Sequence, residues 1–289
     1  MTDGSLERLQ IHLQALVGER HPASSPQALK QAEQYLSQQF GLLHLQVSLH
    51  PFDASGITYY NVVAVRPSTS TSGEGPPVLV TAHYDTVLGS PGADDNASGL
   101  AVLLEVARSL RDVPLRREVR FIGFCLEEAD LLGSLAYVAR LKAGHHAIRG
   151  AIVLECVGYC SAEEGSQLVP PGLPIPVPST GHFLGIVGNV ASADLATDVE
   201  RAANRAVRNL STVSLLVPGQ GEQFPDTRRS DHAAFWAYGY PAVMLTDTAN
   251  FRNPHYHQPT DTLDTLDLAF MEQVAAAVTA AAIRLAGSE

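Results

Sequence analysis

The sequence predicts an α/β fold: a single domain over residues 1–289, built as an α/β/α sandwich around a mixed, mostly parallel central sheet. Three observations carry this expectation. Short continuous apolar runs at 78–82, 119–126, 151–154 and 242–246 read as strands covered on both faces, as parallel sheets require. Helical apolar patterns at 100–110, 131–142, 193–208 and 268–285 fall between or after them. The residues that follow the first three runs are acids and histidine, at the carboxyl ends where open sheets bind ligands.

Each element has its own signal. Leu6, Leu9, Leu13 and Leu16 recur at helical spacing and predict a helix over 5–19. A second helix is expected over 27–40, after a break that holds Pro22 and Pro26. Residues 43–52 and 58–66 alternate in polarity around Ala54-Ser55-Gly56, a hairpin signal, and should extend the sheet at one edge. The Ser/Thr/Gly/Pro stretch 67–77 reads as a surface loop inside the domain. Residues 161–181 are rich in Gly, Pro and Ser and predict an irregular excursion near one end of the sheet. Strands at 184–187 and 213–217 and a short helix at 232–238 complete the pattern.

Composition narrows the function classes. A hydrophobic fraction of 45% and a charged fraction of 17% suit a folded globular chain. The net charge of −11, with no Lys/Arg-rich run, speaks against a nucleic-acid partner. Three cysteines, an odd number, suit a reducing compartment. The N-terminus lacks a basic segment followed by an apolar core, and no run reads as long and apolar enough to span a bilayer. The expectation is a cytoplasmic protein with no membrane partner; oligomeric state has no signature here.

The chemistry gathers at the predicted strand ends. The first strand ends in His83, with Asp85 beyond it; the second ends in Glu127-Glu128; the third ends in Glu155. Adjacent parallel strands would bring these residues together. A bare cluster of carboxylates opposes its own ionisation, and a divalent cation resolves the conflict. Histidine with carboxylates suits zinc, with cobalt or manganese as substitutes. Taken singly, each residue has a plainer role. Asp95 or Asn96 could cap the helix at Leu100, and Glu127 and Glu128 could form an acidic first helical turn. The loop from Asn253 to Thr262 adds His255, His257 and Asp261.

Five motifs follow one another in order. They are His83-Tyr84-Asp85-Thr86-Val87, Gly92 to Gly99 with Asp94-Asp95-Asn96 at its centre, Glu127-Glu128, Leu154-Glu155, and Tyr256-His257-Gln258 with Asp261-Thr262. In these motifs the chain resembles the M28 family of co-catalytic zinc metallopeptidases, mostly aminopeptidases. The resemblance implies two zinc ions per chain. Asp95 would bridge them, His83 and Glu155 would complete one site, and Glu128 and His257 the other. Many relatives carry Asp where this chain has Glu155. Glu127 would be the general base, and the Asp95–Asn96 peptide would be cis. Tyr256 matches a tyrosine that helps stabilise the tetrahedral oxyanion in some relatives; aromatic packing under the loop is its plainer role. Asp85 should accept a hydrogen bond from the second ring nitrogen of His83 and orient it. Asp261 should do the same for His257, and Asp94 is expected to be only a neighbour on the turn.

The expected function is removal of N-terminal, apolar residues from peptides. Phe183, Phe224, Phe251 and Tyr256 are candidates for the side-chain pocket. Arg228, Arg229 and Arg252 keep open a carboxypeptidase, which needs a cationic clamp. Two further functions are compatible with the motifs: a glutaminyl-cyclase-like acyltransferase using one zinc, and a non-catalytic binding domain of this fold. Ser230-Asp231-His232 reads as a helix cap near the pocket rather than a catalytic triad. Cys156 and Cys160 read as a buried small residue and a free thiol.

Overall fold

Two-residue periodicity within the strands sorts side chains onto two faces of one sheet, and helices cover both. The computed structural model describes residues 4–70, 75–170, 172–173 and 175–287. Part of the expected 67–77 loop, and Pro171 and Pro174 of the 161–181 excursion, lie outside the described residues.

The chain begins with α1 (Ser5–Leu16), α2 (Pro26–Leu42) and the hairpin β1 (Gln46–Ala54) and β2 (Ile57–Arg66). The alternating half follows: β3 (Val78–His83), α3 (Gly99–Leu110), β4 (Val119–Phe124), α4 (Leu132–Ala143) and β5 (Gly150–Glu155). The last part holds β6 (Leu184–Asn189), α5 (Ala193–Ala206), β7 (Thr212–Val217), α6 (His232–Ala237), β8 (Ala242–Thr246) and α7 (Leu268–Ala286). The eight strands run in the order β1-β2-β4-β3-β5-β8-β6-β7. Strands β4, β3, β5 and β8 are mutually parallel and form the centre. The hairpin pairs antiparallel to β4 at one edge. At the other, β6 pairs antiparallel to β8 and parallel to β7. The mixed, mostly parallel sheet is the expected one.

Along β3, Val78, Val80 and Ala82 face the larger core layer with α1, α2, α3, α5 and α7, while Leu79 faces the layer with α4 and α6. Helix α3 is buried over almost its whole circumference, since it lies between the sheet and α1 and α7. Helix α7 departs from expectation. At 19 residues and mean hydropathy 1.4 it is long and apolar enough to cross a bilayer by length and composition. Its apolarity has another use here, because Phe270, Met271, Val274 and Val278 are buried in the larger core layer, where α7 packs on α3 and α5.

Two boundaries at the N-terminal end also differ. Helix α1 stops at Leu16 rather than 19, because the chain turns so that Arg20 enters the interior. Strand β1 begins at Gln46, not 43, because α2 continues to Leu42 and His44 takes a left-handed φ of 59°. The hairpin turns at Ser55-Gly56, both at positive φ (50° and 79°), the geometry of a two-residue primed turn.

Between α1 and α2, the His12 ring meets the Tyr35 hydroxyl at 2.8 Å, and Arg8 donates to both carboxylate oxygens of buried Glu105 on α3. Burial pulls the His12 pKa down to about 4, against the attraction of Glu105. The folded chain therefore holds His12 neutral where the unfolded chain would protonate it. That advantage is complete above pH 6.5 and is lost as pH falls toward 4. Between pH 7 and 4.5 the wild type should lose on the order of 2 kcal/mol more stability than a His12→Gln variant, read by urea unfolding. Equal losses would show that His12 charges freely in the folded state.

Candidate metal centre

The parallel centre of the sheet delivers its strand ends to one edge. His83 is the last residue of β3, Glu155 the last of β5, and Glu127-Glu128 lie three and four residues beyond β4. Asp95 comes from the segment Ala93–Ser98 that leads into α3, where its own backbone is non-helical (φ −106°, ψ 86°), and His257 from the long loop after β8. The Asp95–Asn96 peptide is cis. Left-handed residues flank the cluster: Leu126 before Glu127, Cys156 after Glu155, and His257 itself. A left-handed backbone at such residues costs energy and persists where the surroundings enforce it, often at functional sites. Gly92 is needed for a similar reason. It sits at φ 62°, and a Cβ there would collide with the Asp95 carbonyl oxygen.

The residues meet in two groups that share Asp95. His83 Nε2 lies 3.2 Å from Asp95 Oδ1 and 3.4 Å from Glu155 Oε2. His257 Nε2 lies 2.9 Å from Asp95 Oδ2 and 3.3 Å from Glu128 Oε2. Glu127 Oε2 stands 3.9 Å from His83 Nε2. In each group, one atom per residue lies within 4.8 Å of the others. His83 Nε2, His257 Nε2, both Asp95 oxygens and Glu128 Oε1 are buried without a hydrogen-bond partner. Buried polar atoms are rarely left so. Here they converge on common points, and the donor set of imidazole and carboxylate is that of a zinc site. The residues fit a pair of metal ions.

A second layer of residues holds these groups in place, and it differs from expectation. His83 Nδ1 lies 3.2 Å from the backbone oxygen of Asp85 and 3.6 Å from its carboxylate. A carbonyl partner requires Nδ1 to donate, which leaves the Nε2 lone pair for a metal. The Asp85 carboxylate instead accepts the amides of Glu127 and Glu128, at 3.0 and 3.1 Å. Asp261 does not orient the His257 ring; its carboxylate accepts the amides of Asp94 and Asp95, at 2.9 and 3.2 Å. Asp94 is more than a neighbour. It accepts from Gly158 N and Asn253 Nδ2 and so ties three loops together. Asn96 bonds the Leu154 carbonyl, the Cys156 amide and, in the capping role its position suggested, the Gly99 amide at the start of α3.

Ser230 is not a cap: its hydroxyl donates to Glu155 Oε2 at 2.7 Å. Asp231 makes no capping bond either. His232 turns away to the Thr227 carbonyl at 2.7 Å, so the three do not form a triad. Cys156 and Cys160 are free thiols.

Arg20 carries no signal in the sequence that would single it out. It is fully buried, and its guanidinium donates to the carbonyls of Leu16, Gly18, Tyr84, Pro91 and Gly92. Burial lowers its pKa to about 10, opposed by the charges of Asp85, Asp95, Asp261 and Glu128. It remains a cation beneath the acid cluster. Locally it is an arginine shortly after a helix end, which points nowhere in particular.

The cluster's electrostatics follow from its burial. Burial pushes Glu127 well above the usual carboxylate range, opposed by His83 and reinforced by Glu155 and Glu128. Burial and Asp95 lift Glu128 to about 7. Burial disfavours ionised Asp95, but the His257 and His83 rings beside it outweigh burial and hold its pKa low. For His257, burial is outweighed by Asp95 and Glu128, and its pKa rises to about 10. The buried carboxylates Glu127 and Glu128 oppose one another's ionisation.

A cavity of about 170 Å³ opens beside the cluster, and Glu155 and Tyr256 are among its walls. Phe183, Phe224 and Phe251 line it as the sequence suggested, with Val187 and Leu215 from β6 and β7 at the edge of the sheet and Met244 from β8. Tyr256 stacks on the His257 ring at 3.8 Å, and its hydroxyl accepts from Arg229 at 3.2 Å. Arg229 also donates to Asn250. Arg252 is buried, donates to the Phe183 carbonyl and Gln167, and lies 4.4 Å from the Phe183 ring centroid. Arg228 borders a separate shallow groove with Leu131 and Ala234.

Known proteins resemble this chain in sequence or in fold. The model of peptidase family M28 matches residues 61–282. The chain is 32% identical over 286 residues to the uncharacterized protein YfbL of Escherichia coli K12, covering 93% of this chain and 85% of YfbL. It is similar to BSAP, a zinc aminopeptidase from Bacillus subtilis, at 30% identity and a TM-score of 0.62, covering 81% of this chain and 52% of that one. It thus spans about half of BSAP. A glutaminyl cyclase of Porphyromonas gingivalis shares the fold, with a TM-score of 0.68 at 17% identity, covering 97% of this chain and 96% of that one.

Removal of the buried arginine tests the support under the cluster. Arg20→Ala should cost about 3 kcal/mol of unfolding free energy, because the carbonyls it satisfies stay buried. Arg20→Lys should recover only part of this, since an ammonium cannot reproduce the guanidinium fork. Urea unfolding of the three proteins measures it, and a loss near zero would remove Arg20 from the support.

Proposed function

Because the chain belongs to peptidase family M28, we propose that it is a di-zinc aminopeptidase that removes apolar N-terminal residues from peptides. The observation that carries the reading is the sharing of Asp95: its two oxygens face two different histidines, each with a further carboxylate beside it. His83, Asp95 and Glu155 would hold one zinc, and Glu128, His257 and the second oxygen of Asp95 the other. When bound, the metals supply Lewis acidity at the scissile carbonyl and lower the pKa of water.

Glu127 is the general base of this proposal. It is buried and it borders both ligand groups, the position an acid–base group needs to take and return a proton at the reacting water. It would accept a proton from the attacking water and deliver it to the departing amine. The Asp85 carboxylate fixes the backbone from which Glu127 and Glu128 project. Tyr256, its hydroxyl hydrogen-bonded by Arg229, would donate to the developing oxyanion. The apolar cavity beside Glu155 would take the N-terminal side chain. Arg252 is withdrawn from solvent, which weakens the case for a carboxypeptidase. The second histidine–carboxylate group favours a peptidase over a cyclase using one zinc.

Chelator-stripped protein should rebind two zinc ions per chain, measured by atomic absorption, and recover hydrolysis of leucyl-anilide. A single ion at saturation would favour the cyclase. Glu127→Gln should bind zinc as the wild type does, while kcat falls by about a thousandfold. Full activity in that variant would overturn the general-base assignment, and no turnover of any amide with metal bound would favour a binding domain.

A further inference from the structure

One side of the side-chain cavity is lined by a segment that has no helix or strand among its described residues. Residues 161–181 leave the sheet after β5 and return before β6. Leu168, Leu173, Ile175 and Val177 of this segment line the cavity opposite Val187 and Met244. Among the described residues, its backbone bonds gather at its two ends. Ser161 N donates to Gly181 O, Gln167 N to Ser179 O, and Gly181 N to the Ser166 hydroxyl.

One side chain joins this neck to the loop that carries Tyr256 and His257. Gln167 is buried, and both ends of its amide are used. Nε2 donates to the carbonyls of Leu168 and Phe251, at 2.9 and 3.3 Å, and to the Thr248 hydroxyl at 2.9 Å. Oε1 accepts from Arg252 Nε at 3.0 Å and lies 3.2 Å from the same hydroxyl. Leu168 N donates to Phe251 O at 2.7 Å beside it. Arg252 continues the chain of contacts to Phe183, stacking 4.4 Å from its ring centroid. Phe183 and Phe251 are themselves cavity walls.

We propose that Gln167 is a specificity-determining residue: its buried amide latches the 161–181 segment onto the 248–252 loop and so holds the apolar wall against which a large N-terminal side chain packs. A wall held in advance costs no ordering when the side chain enters, so the benefit falls on binding. A small side chain does not reach the wall and gains nothing from the latch. This role rests on the aminopeptidase reading for its substrate and on the hydrogen bonds alone for the latch.

The test compares wild type, Gln167→Leu and the milder Thr248→Val, which removes only the hydroxyl shared with the amide. Zinc-loaded protein is assayed on alanyl- and leucyl-anilides, and limited thermolysin digestion reads cleavage between 168 and 177. In Gln167→Leu, KM for leucyl-anilide should rise about tenfold with kcat little changed, alanyl-anilide turnover should hold, and cleavage should quicken. Thr248→Val should move the same way by less, and it decides the matter if Gln167→Leu does not fold. Equal losses on both anilides would make Gln167 a general support and overturn the proposal, as would unchanged cleavage. A wild type that turns over neither anilide would defeat the aminopeptidase reading instead, and the digestion would still judge the latch.

Discussion

The structure depends on keeping several carboxylates buried and close together at the ends of parallel strands. Asp95, Glu127 and Glu155 are nearly inaccessible, and Asp85, Asp94 and Asp261 behind them are wholly so. Desolvation and mutual repulsion both oppose ionisation at such a place. The fold answers with positive or polar partners on every side. Two histidines enter from the sheet and from the loop after β8, and Arg20 lies beneath. What remains at the centre is a set of buried atoms without hydrogen bonds: His83 Nε2, His257 Nε2, both Asp95 oxygens and Glu128 Oε1.

The arrangement separates two tasks that look alike in the sequence. One set of acids presents oxygens to the centre. The other takes backbone amides: Asp85 receives those of Glu127 and Glu128, and Asp261 those of Asp94 and Asp95. Each supporting aspartate thus aims two adjacent residues at once through their main chain. These bonds fix the backbone of Asp95, Glu127 and Glu128 without occupying their side chains.

The antiparallel edge has a different use. Strands β6 and β7 carry no residue of the acid cluster, yet they extend the sheet sideways and give the cavity its floor of Val187, Val213 and Leu215. The excursion between β5 and β6 supplies the facing wall. The acid cluster and the apolar cavity therefore come from separate parts of one sheet, and Glu155 and Tyr256 border both.

The sequence by itself determined the sheet's central strands, the helices between them, and the residues that converge at the centre. Each of these is written in neighbouring residues: an apolar run marks a buried strand, and His83, Glu127-Glu128 and Glu155 stand directly at or after such runs. The strand order needed only parallel crossovers to bring them together. The tertiary structure alone decided the support. Arg20 bonds a carbonyl 64 residues away, and Asp261 an amide 167 residues away. Their partners are main-chain groups, which every residue possesses, so no side-chain pattern announces the pairing. Asp94, Ser230 and Gln167 likewise resemble ordinary turn, cap or loop residues until the chain is folded, because their partners are far away in the sequence. The boundary of α1 and the apolarity of α7 were likewise settled by what packs against them, since a local pattern records that a surface must be buried but not what will cover it.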